Sequence, residues 1–431
     1  MSHKILIQKA TRIEGNADIH LEIEAGQVKA ARFMVQDFRG FEKLVQGKQA
    51  DSAPHIVSRI CGLCSSAHQV AGFQAVEEAL GITASPSVEK LRAVAILGEW
   101  IASHALSFFF LTLPDSIQAS RGIFDLMQLH PEIAGDAFLL RRSGNRIVEI
   151  IGKRSVHAVA FGIGGFHVSY SAEEMDEICA LAATIQETSK KLLEGLGPIW
   201  KKDPLPFPVE QAFNFLTYDE QAGLFKAFDR AGNQTEAFSR ENFSEHVAEL
   251  RVDWSLAKFP YLAGRGFPDG MLLVGPLSRL FRSGGLLDDP ALSAFPLLEQ
   301  LRDPSALRLD HLDLCRLLEI HWAARRILGY MAGIELSELA APSLDMDKSG
   351  QGVGVVEAPR GVLVHEYVIN RGTVEKMRLL VATQFNNAYI NLTLRDVAER
   401  HVDGDHLSKA GEAMIGHCVR VFDPCLTCAT H

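Results

Sequence analysis

The chain has 431 residues, 47% of them apolar and 22% charged, which is the make-up of a globular protein able to bury a large core. A formal charge of −10 argues against nucleic acid or an anionic membrane as the main partner. Seven cysteines are an odd number and include two Cys-x-x-Cys pairs, which is reduced, intracellular usage rather than a secreted disulfide framework. Met1-Ser2-His3-Lys4 runs straight into a strand pattern, so no leader is predicted. Residues 4–37 alternate apolar and polar with a break at Ala25-Gly26-Gln27, the signature of a small antiparallel sheet. Within it lies Arg12-Ile13-Glu14-Gly15-Asn16, where Glu14 reads in isolation as an acid at a strand end. Arg39-Gly40-Phe41-Glu42 follows, and Glu42 in isolation reads as the partner of Lys43 on the surface.

Arg59-Ile60-Cys61-Gly62-Leu63-Cys64 is the first cysteine pair, and Asp423-Pro424-Cys425-Leu426-Thr427-Cys428-Ala429-Thr430-His431 contains the second. The spacing lets two thiolates of each pair turn onto one metal, and only the tertiary fold can bring the pairs together. By spacing alone a structural zinc site, a four-cysteine iron–sulfur cluster and a redox disulfide all remain open, the last weakened by the lack of a βαβ pattern.

Between the pairs the chain is mostly helical. Apolar residues recur at three- and four-residue spacing over 67–80, 87–113, 133–151, 171–197 and 309–333. Ala95 to Leu113 is apolar almost all round, but Glu99, His104 and the Pro114-Asp115 end predict a buried bundle helix and no membrane span. Gly162-Ile163-Gly164-Gly165 has no strand–Gly-x-Gly-x-x-Gly–helix context, so no nucleotide site is predicted. Residues 203–290, with Pro204, Pro206 and Pro208, read as a loop-rich insertion with short strands. Residues 352–384 read as a β-hairpin turning near Asn370-Arg371-Gly372-Thr373, and 386–402 and 405–417 as helices. The expected architecture is α+β, mainly α, in one compact domain. It comprises an N-terminal sheet (1–50), a helical core (51–200 and 300–345) and a C-terminal β/α region (350–431).

Arg-x-Cys-Gly-x-Cys followed by His68, together with the Asp-Pro-Cys-x-x-Cys-x-x-His ending, resembles the large subunit of nickel–iron hydrogenases. Arg12-Ile13-Glu14-Gly15, Arg39-Gly40-Phe41-Glu42 and Glu357-Ala358-Pro359-Arg360-Gly361 are similar to further stretches of that family. Asn16 stands where the family usually has His, and Ala158 follows His157 where it often has Pro. The resemblance implies that Cys61 and Cys425 are terminal nickel ligands and that Cys64 and Cys428 bridge nickel to an iron carrying cyanide and carbon monoxide. Soft sulfur ligands suit that pair. It implies a proton relay at Glu14, a magnesium-type ion held by Glu42 and His431, and an arginine, Arg360, over the metals, oriented by Asp423. His68 would hydrogen-bond a bridging sulfur, Thr383 would donate to cyanide, and Asp115 and His104 fall on motif positions near the metals. Glu14 would then shuttle protons between the metal site and solvent.

Reversible splitting of dihydrogen is the implied activity, and electrons must leave the chain. Cys179, Cys315 and Cys418 are too few for a cluster held by four thiolates. An iron–sulfur small subunit is therefore the implied partner, followed by further electron-acceptor subunits of the cytoplasmic, cofactor-coupled kind. The His431 ending is similar to the processed form of family members. A metal-free or zinc-stabilised structural subunit of a complex I-like assembly is the alternative reading. The apolar run Phe108-Phe109-Phe110-Leu111 is a candidate partner surface, with core burial as its plainer explanation.

Overall fold

The computed structural model describes residues 3–117, 121–196 and 214–431. The N-terminal sheet is antiparallel, in the order His3–Lys9, Ala17–Glu24, Gln27–Val35. Its tight turn at Ala25-Gly26 takes both residues to positive φ. Alternate residues of Ala17–Glu24 are buried, as the sequence period requires. The sheet is tied to the C-terminal region where the Phe33 N–H donates to Asn391 Oδ1 at 2.7 Å.

The helical layer is built on Pro86–Ala105. Ser85 caps that helix by accepting from the Val88 N–H, and Pro86 occupies its first turn. It packs against Pro131–Gly152 and His311–Met331, and Ala172–Gly195 covers the latter. Gly98 and Gly144 allow the first crossing, since a Cβ on Gly144 would stand 2.7 Å from the Gly98 carbonyl oxygen. Beyond Ala105 the helix widens into a π-helical segment, Leu106–Thr112, before a last α turn, Leu113–Ser116. Pro86–Ser116 is apolar and long enough to cross a membrane, but 83% of its most apolar stretch is buried inside the chain, so it is a core helix. Phe108 and Phe109 lie inside as well, at 1% and 0% exposure, so they are core and not a partner surface.

The C-terminal region holds a three-stranded antiparallel sheet, Gly350–Ala358, Gly361–Asn370 and Thr373–Leu380, one strand more than the hairpin expected. Its first strand lies directly on helix Ser65–Leu80. A Cβ on Gly350, Gly352 or Gly354 would stand 2.0, 2.1 or 1.8 Å from the carbonyl oxygens of Ala79, Ala75 and Ala71. The strand's two-residue period therefore meets the helix's four-residue period through paired Gly and Ala. That contact fixes the helix after the first cysteines against the sheet that carries Arg360. Helices Ala382–His401 and Lys409–Val421 lead to the final cysteines.

The expected insertion is more ordered than its composition suggests. Asn214–Asp219, Leu224–Asp229, Gln234–Ser239 and Leu272–Leu273 form one sheet, with the last strand parallel to the first. Val247–Val252 pairs with Ser255–Leu262. Asn214–Asp219 is buried on both faces, so it lacks the polar–apolar alternation that marks half-exposed strands. Leu216, Phe225, Phe238 and Phe243 form a second core with Val362, Val364 and Phe385, capping the C-terminal sheet. Pro204, Pro206, Pro208 and the last residue of the helix expected over 171–197 lie outside the described residues. Helix is 48% and strand 23% of the described residues, an α+β fold with helix predominating, as expected.

Candidate metal centre

Both cysteine pairs sit on turns that open helices. Cys61 follows the 3-10 turn Ser58–Ile60 in extended conformation, and the Leu63 N–H points back at its sulfur, 3.2 Å away. Cys64 is the N-cap of Ser65–Leu80 and gives that helix no side-chain cap. Glu99, from the long buried helix, supplies one by accepting from the Ser66 and Ala67 N–H groups at 2.7 and 3.1 Å. Burial still raises Glu99 to about 8.

At the other pair, Asp423 adopts a positive φ of 50°, and Cys425 precedes the short helix Leu426–Ala429. The Cys425 N–H donates to Thr383 Oγ1 at 2.9 Å. The Leu426 N–H donates to the Glu14 carbonyl at 3.2 Å, so the Arg12–Gly15 stretch runs beside the cysteine turn. Gly15, at φ 84°, is required there because a Cβ would stand 2.7 Å from the Leu426 Cβ.

The four sulfurs of Cys61, Cys64, Cys425 and Cys428 lie within 4.8 Å of one another, all buried. Cys61 and Cys425 approach to 3.3 Å, Cys64 and Cys428 to 3.3 Å, and Cys425 and Cys428 to 2.9 Å. None is in a disulfide. Crowded together away from water, the four cannot all be anionic on their own. The hydrogen bond with Cys425 foremost pushes the Cys64 thiol up, and burial foremost pushes Cys425 and Cys428 up, while Cys61 is lowered as the acceptor of its neighbours' hydrogen bonds, Cys425 first. Bound cations relieve this conflict by taking the thiolates as ligands.

A cavity of about 20 Å³, room for about one water-sized molecule, opens beside Cys64, Cys425 and Cys428 and not beside Cys61. His68, Arg360, Thr383, Ala358, Leu363, Val381 and Ala382 complete its wall. Arg360 donates from Nε to the Asp423 carbonyl at 2.7 Å and from Nη2 to Asp423 Oδ1 at 3.1 Å, while its Nη1 is buried without a partner. Burial works against that charge, but Asp423 and then the cysteine sulfurs outweigh it and raise the Arg360 pKa further. Beneath the turn, Arg279 stacks on Trp100 at 3.9 Å and grips Glu319, Glu357 and the carbonyls of Ala358 and Pro359. A closed zinc site has no use for an adjacent lined cavity with an unpartnered guanidinium nitrogen. A binuclear centre does. A separate cleft of about 320 Å³ between Trp100, Trp322 and Tyr330 contains none of the thiolates.

Glu14 is half-buried, and its carboxylate accepts from the Thr427 N–H at 3.1 Å and from the Thr427 hydroxyl at 2.7 Å. That hydroxyl is 3.9 Å from the Cys425 sulfur. Glu42 does not pair with Lys43. Its Oε1 accepts from the Leu379 N–H at 2.9 Å and stands 3.5 Å from His431 Nε2, while His431 Nδ1 bonds the Cys428 carbonyl at 2.7 Å. Burial would raise the Glu42 pKa, but the His431 hydrogen bond and charge bring it below the ordinary value.

Asp115 is placed differently from the expectation. Its carboxylate is taken by Arg12, by His417 Nδ1 at 3.0 Å and by Arg420 Nε at 2.8 Å, so it clamps the N-terminal motif to helix Lys409–Val421 and does not line the cavity. His104 is likewise engaged away from the cavity, 2.9 Å from Glu319. His68 does line it, but its Nδ1 is held at 3.0 Å by His365 Nε2, a residue the sequence reading missed. Burial pulls His68 down to about 4. Thr427 was also missed, although it lies between the last two cysteines. Glu99 had a visible signal, a lone acid in an apolar helix.

Two chain-distant Cys-x-x-Cys pairs meeting at a buried cavity define a metalloenzyme with a thiolate-held centre. Nickel-dependent hydrogenase sequences match residues 39–121 and 324–431, and a HoxL-like family matches residues 4–38. The matching polypeptide of the F420-non-reducing hydrogenase from Methanothermobacter marburgensis is 31% identical, covering 99% of this chain and 94% of its own. The NAD-reducing hydrogenase HoxS subunit beta of Cupriavidus necator is 29% identical, over 100% and 95%. Among solved structures, an NAD+-reducing NiFe-hydrogenase in the H2-reduced state superposes with a TM-score of 0.89 at 28% identity, covering 100% of both chains. The chain belongs to the nickel-dependent hydrogenase family. It is the catalytic large subunit of a nickel–iron hydrogenase, and its four-cysteine cluster fits the nickel–iron site.

Proposed function

We propose that Cys61 and Cys425 bind nickel terminally, that Cys64 and Cys428 bridge it to iron, and that protons leave through Thr427 and Glu14. The convergence of all four sulfurs on a cavity lined by Arg360 and Thr383 carries this reading. Bound there, nickel and iron supply the Lewis acidity at which dihydrogen is polarised and divided. The cavity lies on the Cys64–Cys428 side, which suits an iron with cyanide and carbon monoxide ligands. Arg360 Nη1 is unpartnered, and the Thr383 hydroxyl, already accepting from the Cys425 N–H, keeps its own proton to donate. Both are then donors for cyanide nitrogen. Asp423 holds Arg360 in place through its carbonyl and carboxylate.

Cys425 Sγ acts as first base. A proton on that sulfur passes to Thr427 Oγ1 as the Thr427 hydroxyl proton passes to Glu14 Oε1, across 3.9 and 2.7 Å. Glu14 is half-buried and so connects this chain of groups to the outside. At the end of the chain, the His431 Nδ1–H donates to the Cys428 carbonyl, which leaves Nε2 turned towards the Glu42 carboxylate. A magnesium-type ion bound there would take the place of the proton that Nε2 shares with Glu42, with the carboxylate as its oxygen ligand.

Electrons pass to an iron–sulfur small subunit, then to further acceptor subunits. Among the described residues no second cluster of metal-binding side chains accompanies the four thiolates. The NAD-reducing relative supports a cytoplasmic complex whose further subunits pass the electrons to a cofactor. An infrared spectrum of the purified complex tests the centre. Bands of bound carbon monoxide and cyanide support it, and their absence from complex matured in a competent host contradicts it.

A further inference from the structure

We propose that His365 is a positioning residue for this centre: it fixes His68 as the Nε2–H tautomer, so that His68 offers the cavity a donor and not a lone pair. The inference rests on the metal-centre reading above. His68 lies one helical turn after Cys64 and shares the cavity wall with Cys64 and Cys428. Its Nδ1 is 3.0 Å from Nε2 of His365, on the strand Gly361–Asn370, and both side chains are buried. A nitrogen–nitrogen contact of this length is a hydrogen bond, so one nitrogen carries the proton and the other does not.

Two neutral arrangements meet that condition. In one, the His365 Nε2–H donates to His68 Nδ1, His68 keeps its proton on Nε2, and His365 Nδ1 is a bare acceptor. In the other, the His68 Nδ1–H donates, His68 Nε2 is bare, and His365 carries its proton on Nδ1. His365 Nδ1 is buried with no hydrogen-bond partner. The second arrangement strands an N–H donor in the core, while the first strands only a lone pair. Buried N–H groups without acceptors are the rarer and costlier case. Charging either ring would add a buried donor, and burial disfavours the charged form of both. Tyr367 stacks on His365 at 6.2 Å and helps hold the ring's orientation.

In the cavity that His68 shares with Cys64 and Cys428, an N–H offered to a thiolate would draw electron density from the sulfur and from the metals it holds. The test uses the assembled, metal-loaded complex. His365→Phe removes the donor while keeping a ring, and His365→Gln restores an N–H at the position of Nε2. The carbon monoxide band of the Phe variant should move to lower wavenumber, because more density reaches the iron, and activity should fall by about 10–100-fold. The band of the Gln variant should stay at the wild-type position. A Phe variant with an unmoved band, or a Gln variant displaced as far as the Phe variant, overturns the proposal. Should the Phe variant fail to assemble, nitrogen-15 spectra of the histidine-labelled wild-type complex in a diamagnetic state decide the matter. They should show His68 Nε2 protonated and Nδ1 bare, and the reverse overturns the assignment. Wild-type complex lacking carbon monoxide and cyanide bands refutes the metal-centre reading instead, and the nitrogen-15 result still judges the tautomer.

Discussion

Replacing Glu14 with glutamine isolates the proton path from everything else the residue does. The carboxylate accepts two hydrogen bonds, both from Thr427. The glutamine amide can keep both contacts with one role exchanged: its oxygen accepts from the Thr427 N–H, and its NH₂ donates to Thr427 Oγ1. The stability cost is therefore small, about 1 kcal/mol or less at this half-buried position. The Thr427 hydroxyl still reaches Cys425, but beyond it stands an amide that takes up no proton. Loss of a positioned acid–base group costs about 10²–10⁴-fold, or about 3–5 kcal/mol of barrier. Exchange of deuterium gas with solvent protons and hydrogen-driven dye reduction should both fall by that factor. Interconversion of para- and ortho-hydrogen needs only the sulfur base and should continue, with metal content and infrared bands near wild type. Thr427→Val, which removes the hydroxyl between sulfur and carboxylate, should reproduce the exchange defect. Wild-type exchange in the glutamine variant would show that Glu14 is only a structural acceptor, and the Thr427 relay would fall with it.

Two further outcomes follow from the geometry. His431→Ala removes the partner of Glu42 at 3.5 Å and the bond to the Cys428 carbonyl; nickel content and matured yield should both drop, and normal metal loading would refute the shared-ion role. Asp115→Asn leaves Arg12, His417 and Arg420 facing a neutral group, which should destabilise the chain by the lower end of about 3–5 kcal/mol in thermal or denaturant unfolding; a loss below about 1 kcal/mol would mean the clamp is only a surface pair. Burial alone would raise Asp115, but His417 and Arg420 hold it well below the usual carboxylate range. Its folded pKa is thus depressed, so its contribution is complete above the unfolded value of about 3.9 and is lost as pH falls below it.

Much of the scaffold was legible because each signal was local. Alternation marked Ala17–Glu24, and three- to four-residue spacing marked the core helices. The cysteine motifs named the sulfurs, although nothing local could say that they meet. What stayed hidden depended on tertiary contact. Asn214–Asp219 is buried on both faces and so lacked alternation. Nothing local in Gly350, Gly352 and Gly354 shows that Ser65–Leu80 lies on them. His365 is an ordinary inward residue of a strand, and only the fold brings it to His68 across 297 positions. The motif put Asp115 near the metals, and nothing local could show that it faces three basic side chains.

Metal analysis of the purified complex, matured in a host that supplies nickel, tests the central claim most directly. Four soft thiolates beside a cavity with two free donors predict about one nickel per catalytic chain and no stoichiometric zinc. Stoichiometric zinc with no nickel would contradict the account, and the four cysteines would then be a structural site.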